Sequence, residues 1–207
     1  MTDGHDHAHD PIEHAGGPSE DYRLLTAAVR DLLIEKGIFS AEDMRRTVEA
    51  MEMRSPAAGA RVAARAWVDP DYKARLLAHG SRAAAELGVD MTISPNLVVV
   101  ENTDEVHNMI VCTLCSCYPR ALLGIPPAWY KSVAYRSRAV KEPRAVLAEF
   151  GTRLPDHVEV RVHDSTADMR YMVLPARPAG TEGWVEEALA AIVTRDCMIG
   201  VARPVVG

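Results

Sequence analysis

Val111-Cys112-Thr113-Leu114-Cys115-Ser116-Cys117-Tyr118-Pro119 gathers three thiols into six residues. The run follows a β-branched segment and precedes a loop rich in glycine and proline, Gly124-Ile125-Pro126-Pro127. A tight turn across this Cys-x-x-Cys-x-Cys spacing brings all three sulfurs to one point. Thiolates are soft donors and select a transition metal over calcium or magnesium. The remaining cysteine, Cys197, sits in the apolar stretch Cys197-Met198-Ile199-Gly200-Val201, which suits a buried small hydrophobe. Structural zinc usually takes four ligands as two separated pairs, so it lacks an obvious fourth sulfur here. Spacing alone leaves zinc, redox-active thiols and a catalytic metal all open. In the last case, backbone amides of the turn would deprotonate and complete a donor set suited to a low-spin trivalent ion.

Outward from this run the texture is that of buried strands. Leu97–Glu101, Asn108–Cys112 and Tyr171–Leu174 are short and β-branched, and Val158–Val162 alternates along its length. Helices are expected at Glu142–Phe150 and Val185–Ile192. Upstream, Leu25, Ala28, Val29, Leu32 and Leu33 recur at helical spacing until Gly37 supplies a stop. Ser40-Ala41-Glu42-Asp43 reads as an N-cap with an acid at the third helical position, opening a helix that runs to about Met53. Ala57–Trp67 predicts another helix, and Asp69-Pro70 starts a fourth that closes at Gly88. These helices are alanine-rich and thin, and a partner chain is one candidate for what they lie against. The expected organisation is α+β: a disordered tail over 1–20, a helical arm over 21–90, and a metal-binding catalytic core over 91–207.

A chain of 207 residues with 48% apolar and 25% charged content has the composition of an ordinary globular protein. Its net charge of −6, with arginines scattered among acids, argues against a nucleic-acid partner. No apolar stretch approaches the ~20 residues that cross a bilayer, so no membrane is implied. Met1–Glu20 is polar and acidic without the apolar centre of a signal peptide, which makes the cytoplasm the default location. Within it, His5, His7, His9 and His14 alternate with aspartates. A solvated tail is the expected reading, with loose capture of a divalent ion as the alternative.

Cys112-Thr113-Leu114-Cys115-Ser116-Cys117 is identical to the claw motif of cobalt-type nitrile hydratase α subunits; iron-type members carry serine where Thr113 stands. The likeness extends through Glu101-Asn102-Thr103, His107-Asn108, Gly124–Lys131, Tyr135–Val140, Arg170–Pro175, Arg177–Trp184 and Ile192–Cys197. Residues 97–204 therefore resemble that family almost continuously, and the helical arm does so more loosely.

The resemblance implies a layered α-β-β-α core that carries the claw loop. It implies one Co(III) per chain, held by the sulfurs of Cys112, Cys115 and Cys117 and the backbone nitrogens of Ser116 and Cys117. It also implies that Cys115 becomes a sulfinic acid and Cys117 a sulfenic acid, the two catalytic positions, as suits metal-bound thiolates. A nitrile polarised by the metal would be attacked by the Cys117 sulfenate oxygen or by hydroxide, giving the amide. Oxidised cysteines are anionic and costly to bury without donors. In the family these donors are arginines of a β-type partner subunit, so such a partner is expected here.

Two departures qualify the likeness. Arg120 stands where most nitrile hydratases have tryptophan, and it resembles the γ subunit of thiocyanate hydrolase, which converts thiocyanate to carbonyl sulfide and ammonia. Leu122–Arg138, by contrast, looks closer to the hydratases. The short link from Gly88 to Leu97 lacks a glutamine-bearing segment that many members have, which suggests a wider pocket and a bulky nitrile such as a nitrile-bearing nucleoside. A non-enzymatic cobalt-binding module is a third alternative. Trp129 and Tyr130 are expected to pack the core. Arg136, Arg138 and Arg170 are expected to pair with acids or brace the claw, Arg138 in a surface ion pair. His107 is expected to be structural.

Overall fold

The computed structural model describes residues 19–94, 96–115 and 117–206. The histidine-rich segment falls outside them, as does Ser116. Helix α1 (Glu20–Glu35) opens with Glu20 and Asp21, which favour the positive end of the helix dipole. It stops before Gly37, whose φ of +66° few other residues tolerate. Helix α2 (Ala41–Glu52) has the capping box expected of it: the Ser40 hydroxyl accepts from the Asp43 amide, and the Asp43 carboxylate accepts from the Ser40 amide. Neither helix buries a residue, and Tyr22, Leu25 and Leu32 stand exposed.

Helices α3 (Ala57–Val68), α4 (Pro70–Ala78) and α5 (Gly80–Glu86) behave differently, because Ala63, Ala64, Leu76 and Ala84 are wholly buried. Within the span 21–90, then, the second half belongs to the hydrophobic core. The single helix expected from Pro70 to Gly88 is two helices, broken at His79, which has φ −146° and ψ 69°. Contact with the first strand explains the break. A Cβ on Gly80 would lie 2.6 Å from the Leu97 carbonyl oxygen, so the chain turns where glycine lets two backbones touch.

The strands are β1 (Leu97–Glu101), β2 (Val106–Val111), β3 (Glu159–Asp164) and β4 (Arg170–Leu174). Cys112, read as the last residue of a strand, lies just beyond β2. Two parallel pairs form, with Val99 opposite Met172 in β1–β4 and Val111 opposite Asp164 in β2–β3. Strand β2 packs on β1 and β4, which stacks the pairs. Helices α4 and α5 cover β1, while α8 (Val133–Lys141) and α9 (Pro143–Glu149) cover β2 and β3. The result is the expected α-β-β-α layering. Strands covered in this way read as apolar runs, and all of β2 after Val106 is buried. Each fully buried large side chain, Met109 and Ile110 among them, contributes about 1.5–3 kcal/mol.

Helix α8 was not foreseen, nor were α6 (Arg120–Leu123), α7 (Ala128–Lys131) and α11 (Arg195–Ile199). The last three are too short for a 3.6-residue period to register. Helix α8 is started by the Ser132 hydroxyl, which accepts from the Tyr135 amide at 3.0 Å. It ends at Glu142, extended at φ −141° because Pro143 disfavours helix in the residue before it. Helix α10 (Glu186–Ala191) packs on α3 and is tied to it by the Arg65–Glu186 pair at 2.7 Å.

Helix α11 runs into the back of β2. Gly200, at φ +91°, ends it so close to the strand that a Cβ would sit 2.1 Å from the Asn108 oxygen. The Gly200 carbonyl can only accept, so His107 Nε2 carries the proton of their 2.7 Å hydrogen bond. Nδ1 then accepts from the Asn102 side-chain amide at 3.3 Å. His107 is thus a buried structural histidine, as expected.

Candidate metal centre

Strand β2 delivers Cys112 into the interior, and the chain then folds back on itself at once. The Cys115 amide points to the Cys112 sulfur at 3.2 Å, closing the first half of the turn. Cys115 Sγ lies 3.5 Å from Cys112 Sγ and 3.3 Å from Cys117 Sγ. All three sulfurs fall within 4.8 Å of one another, close enough to share one ion. Cys112 is buried, Cys117 half-buried and Cys115 exposed, so the cluster opens to one side.

The loop is held from three directions. Asp164, at the end of β3, accepts from the Thr113 amide at 2.9 Å and from its hydroxyl at 2.5 Å. Arg136 on α8 donates to the Thr113 carbonyl at 3.2 Å. The Tyr130 hydroxyl on α7 donates to the Cys117 carbonyl at 3.0 Å. Behind them the Tyr135 hydroxyl donates to the Ile110 carbonyl at 2.7 Å, fixing the strand that feeds the loop. Burial, then the hydrogen bond with Cys115, pushes the Cys117 thiol up to about 12, while the Arg170 charge pulls the other way. A soft cation bound by the cluster would reverse that balance, since a coordinating thiol is deprotonated outright.

A cavity of about 810 Å³ lies over the open side. Cys115, Cys117, Tyr118 and Arg120 form its floor, and Met51 and Arg54 from the α2 end wall it. Ile93, in the short link between α5 and β1, joins that wall.

Of the residues singled out from sequence, Cys112, Cys115 and Cys117 come together, and Ser116 lies outside the described residues. Cys197 is buried in α11 as a small apolar group and is not part of the sulfur cluster. Trp129 and Tyr130 pack as expected, Trp129 lying 4.9 Å from the Tyr135 ring and 4.7 Å from Phe150. Tyr130 also braces the claw, a role not foreseen for it. Arg136 braces the claw as one of its two expected readings. Arg138 pairs with Glu142 and Glu149, both at 2.5 Å, but its side chain is only 12% exposed, deeper than a surface pair. Arg170 does neither of the things expected: it bonds the main-chain carbonyls of Thr166 and Ala167 and lines the cavity. Asp164 was missed. Its signal, an acid closing a strand, is invisible until the β2–β3 register is known.

The donor set fits a soft transition ion: three convergent sulfurs on a braced turn, with no carboxylate or imidazole in the cluster among the described residues. Fold and site together define a metal-binding α+β protein with a cysteine claw. Residues 20–202 match the family described as nitrile hydratase, alpha chain, and this chain belongs to that family. It is 49% identical over 199 residues to the low-molecular weight cobalt-containing nitrile hydratase subunit alpha of Rhodococcus rhodochrous, covering 95% of this chain and 96% of the relative. It is 48% identical over 195 residues to the thiocyanate hydrolase subunit gamma of Thiobacillus thioparus, covering 89% and 80%. Among solved structures, a double mutant of the Fe-type nitrile hydratase from Comamonas testosteroni Ni1 superimposes with a TM-score of 0.86 at 42% identity, covering 91% and 92% of the two chains.

Proposed function

We propose that this chain is the α subunit of a cobalt nitrile hydratase, converting a nitrile to its amide. It would hold one Co(III) through Cys112, Cys115, Cys117 and the backbone at Ser116 and Cys117. The observation that carries this reading is the convergence of three sulfurs on a braced loop beneath a cavity. Likeness to a cobalt-containing hydratase subunit supports the choice of metal. Bound there, cobalt supplies a Lewis acid that draws electron density from the carbon–nitrogen triple bond.

The chain's own residues do the rest. Asp164, Arg136 and Tyr130 fix the turn so that the sulfur spacing survives turnover. Cys117 lines the cavity, so in its sulfenic form it presents an oxygen toward the nitrile carbon; Cys115, as a sulfinic acid, adds a second acceptor beside it. These anionic groups need donors over the open side of the cluster, which is the role of a β-type partner subunit. The exposed apolar residues of α1 and α2, together with Leu114 at 85% exposure in the claw itself, supply surface for that partner. A cytoplasmic setting suits thiols that must stay reduced until the metal arrives.

One observation favours a second reading, a thiocyanate hydrolase subunit: Arg120, half-buried, lies on the cavity floor beside Cys117. The test is expression with the partner chain in cobalt-supplemented medium, followed by assay on a panel of nitriles and on thiocyanate. A product heavier than the nitrile by one water is expected, with peptide mass spectra placing two oxygens on Cys115 and one on Cys117. Consumption of thiocyanate alone would promote the second reading. Zinc with unoxidised thiols and no turnover would favour a non-enzymatic metal-binding module.

A further inference from the structure

Strand β3 runs on into Ser165, whose amide donates to the Val111 carbonyl at 2.7 Å. That carbonyl belongs to the residue directly before Cys112, so the pairing of β2 with β3 is carried to the entrance of the claw. Asp164, next to Ser165 in the chain, already clamps Thr113. The Ser165 side chain is left over: the residue is 1% exposed, and its hydroxyl is buried without a fully formed hydrogen bond.

That hydroxyl faces the phenol of Tyr130. Tyr130 is wholly buried and donates to the carbonyl of Cys117, the last thiol of the claw, at 3.0 Å. Burial foremost, then Cys112 and Tyr118, pushes this phenol above its ordinary range, and Ser165 works in the opposite direction. Only a proton donated to the phenol oxygen has that sign, since it favours the charged form. Tyr130 gives its own proton to the Cys117 carbonyl and keeps lone pairs with which to accept. A buried hydroxyl left unpaired is costly, which draws Ser165 toward this acceptor. Hydroxyls linked in series also polarise and strengthen one another.

We infer that Ser165 is a positioning residue of the metal centre: its hydroxyl donates to Tyr130, and Tyr130 in turn holds Cys117 at the spacing a shared metal requires. With Asp164 on Thr113, two successive residues at the end of β3 then grip the claw near both of its ends. Cys117 lines the cavity over the thiols, whereas Ser165 and Tyr130 are not among the residues that line it. Ser165 therefore acts through Tyr130 and not on a bound substrate. The inference rests on the reading above that the claw holds cobalt.

The experiment uses the cobalt-loaded complex with its partner. It reads the visible absorption of sulfur-to-cobalt charge transfer, which follows the geometry of the sulfurs. Ser165→Ala, Tyr130→Phe and the double variant are compared with the parent, each beside its denaturant midpoint. Ser165→Ala is expected to shift the band in the same sense as Tyr130→Phe and by less, with little change in midpoint. Adding Ser165→Ala to Tyr130→Phe should move the band no further, because the acceptor is already gone. Loss of the band through failure to take up cobalt, at an unchanged midpoint, upholds the inference as well. A band unmoved in either single variant overturns it, and so does a double variant whose shift is the sum of the two. Those results leave the cobalt reading intact, because the parent still shows the band. A parent complex that takes up no cobalt and shows no such band overturns both.

Discussion

Asp164 spans Thr113 with both carboxylate oxygens, one on the amide at 2.9 Å and one on the hydroxyl at 2.5 Å. The parallel β2–β3 register makes this possible, because it sets Asp164 beside Val111, one residue before the claw begins. A carboxylate from the neighbouring strand thus shapes the loop that presents the thiols.

Asp164→Ala removes both acceptors and frees the first turn of the claw. The site is open to water, so the stability cost is modest, about 1–2 kcal/mol. Metal retention should suffer more than folding does. Cobalt per chain, measured beside the denaturant midpoint, is expected to fall severalfold while the midpoint moves little. Full cobalt content in the variant would show that the clamp is dispensable.

Tyr130→Phe keeps the ring that packs against Tyr118 at 5.0 Å and deletes only the hydroxyl that bonds the Cys117 carbonyl. The expected loss is about 1 kcal/mol, since one buried acceptor is left unpaired. Oxidation at Cys117 should become less uniform in mass spectra of the claw peptide, because the carbonyl that orients it is released. Tyr135→Phe, which frees the Ile110 carbonyl instead, should cost similar stability without altering the claw spectra.

Gly200→Ala and Gly180→Ala separate strain from collision. Both glycines have positive φ, +91° and +81°, but a Cβ at Gly180 meets nothing within 4 Å. Gly180→Ala is therefore expected to cost about 1 kcal/mol. Gly200→Ala drives a methyl group into the backbone of β2 and should cost roughly 3 kcal/mol or more, enough to leave little soluble protein. Thermal melts of the two variants side by side decide the matter, and equal melting temperatures would contradict the close contact.

His107 and His163 both have their pKa lowered, chiefly by burial. The unfolded chain therefore takes up protons at about pH 6.5 while the folded chain resists. More protons on the unfolded state means that stability rises with pH, and is lost as pH falls from about 6.5 toward the folded-state values. Each histidine contributes a slope of at most about 1.4 kcal/mol per pH unit in that window. Denaturant titrations between pH 7 and 5 should show the decline, and His107→Gln should flatten it while lowering stability throughout. An unchanged slope in that variant would place the proton uptake elsewhere.

The features legible in the sequence share one property: their cause lies within a few residues. The capping box at Ser40 and Asp43, the bounds of β1, and the convergence of Cys112, Cys115 and Cys117 all follow from local chain geometry and side-chain chemistry. The break at His79 was not legible, because it depends on Gly80 meeting Leu97, a contact between separate elements. Helix α8 escaped for a related reason: its apolar positions pack against β2 and the aromatic cluster rather than forming a clean stripe.

By itself, then, the sequence determined the α+β class and the thiol cluster with its preference for a soft metal, since period, propensity and ligand spacing are written in neighbouring residues, while the layering was implied by resemblance to a known family. Only the tertiary structure decided that Asp164, Arg136 and Tyr130 brace the claw, and that arginines from α2, the α2–α3 turn and α6 share one cavity with the sulfurs. Those groups are dozens of positions apart in the chain, and packing of strands and helices, which no local pattern records, is what brings them together.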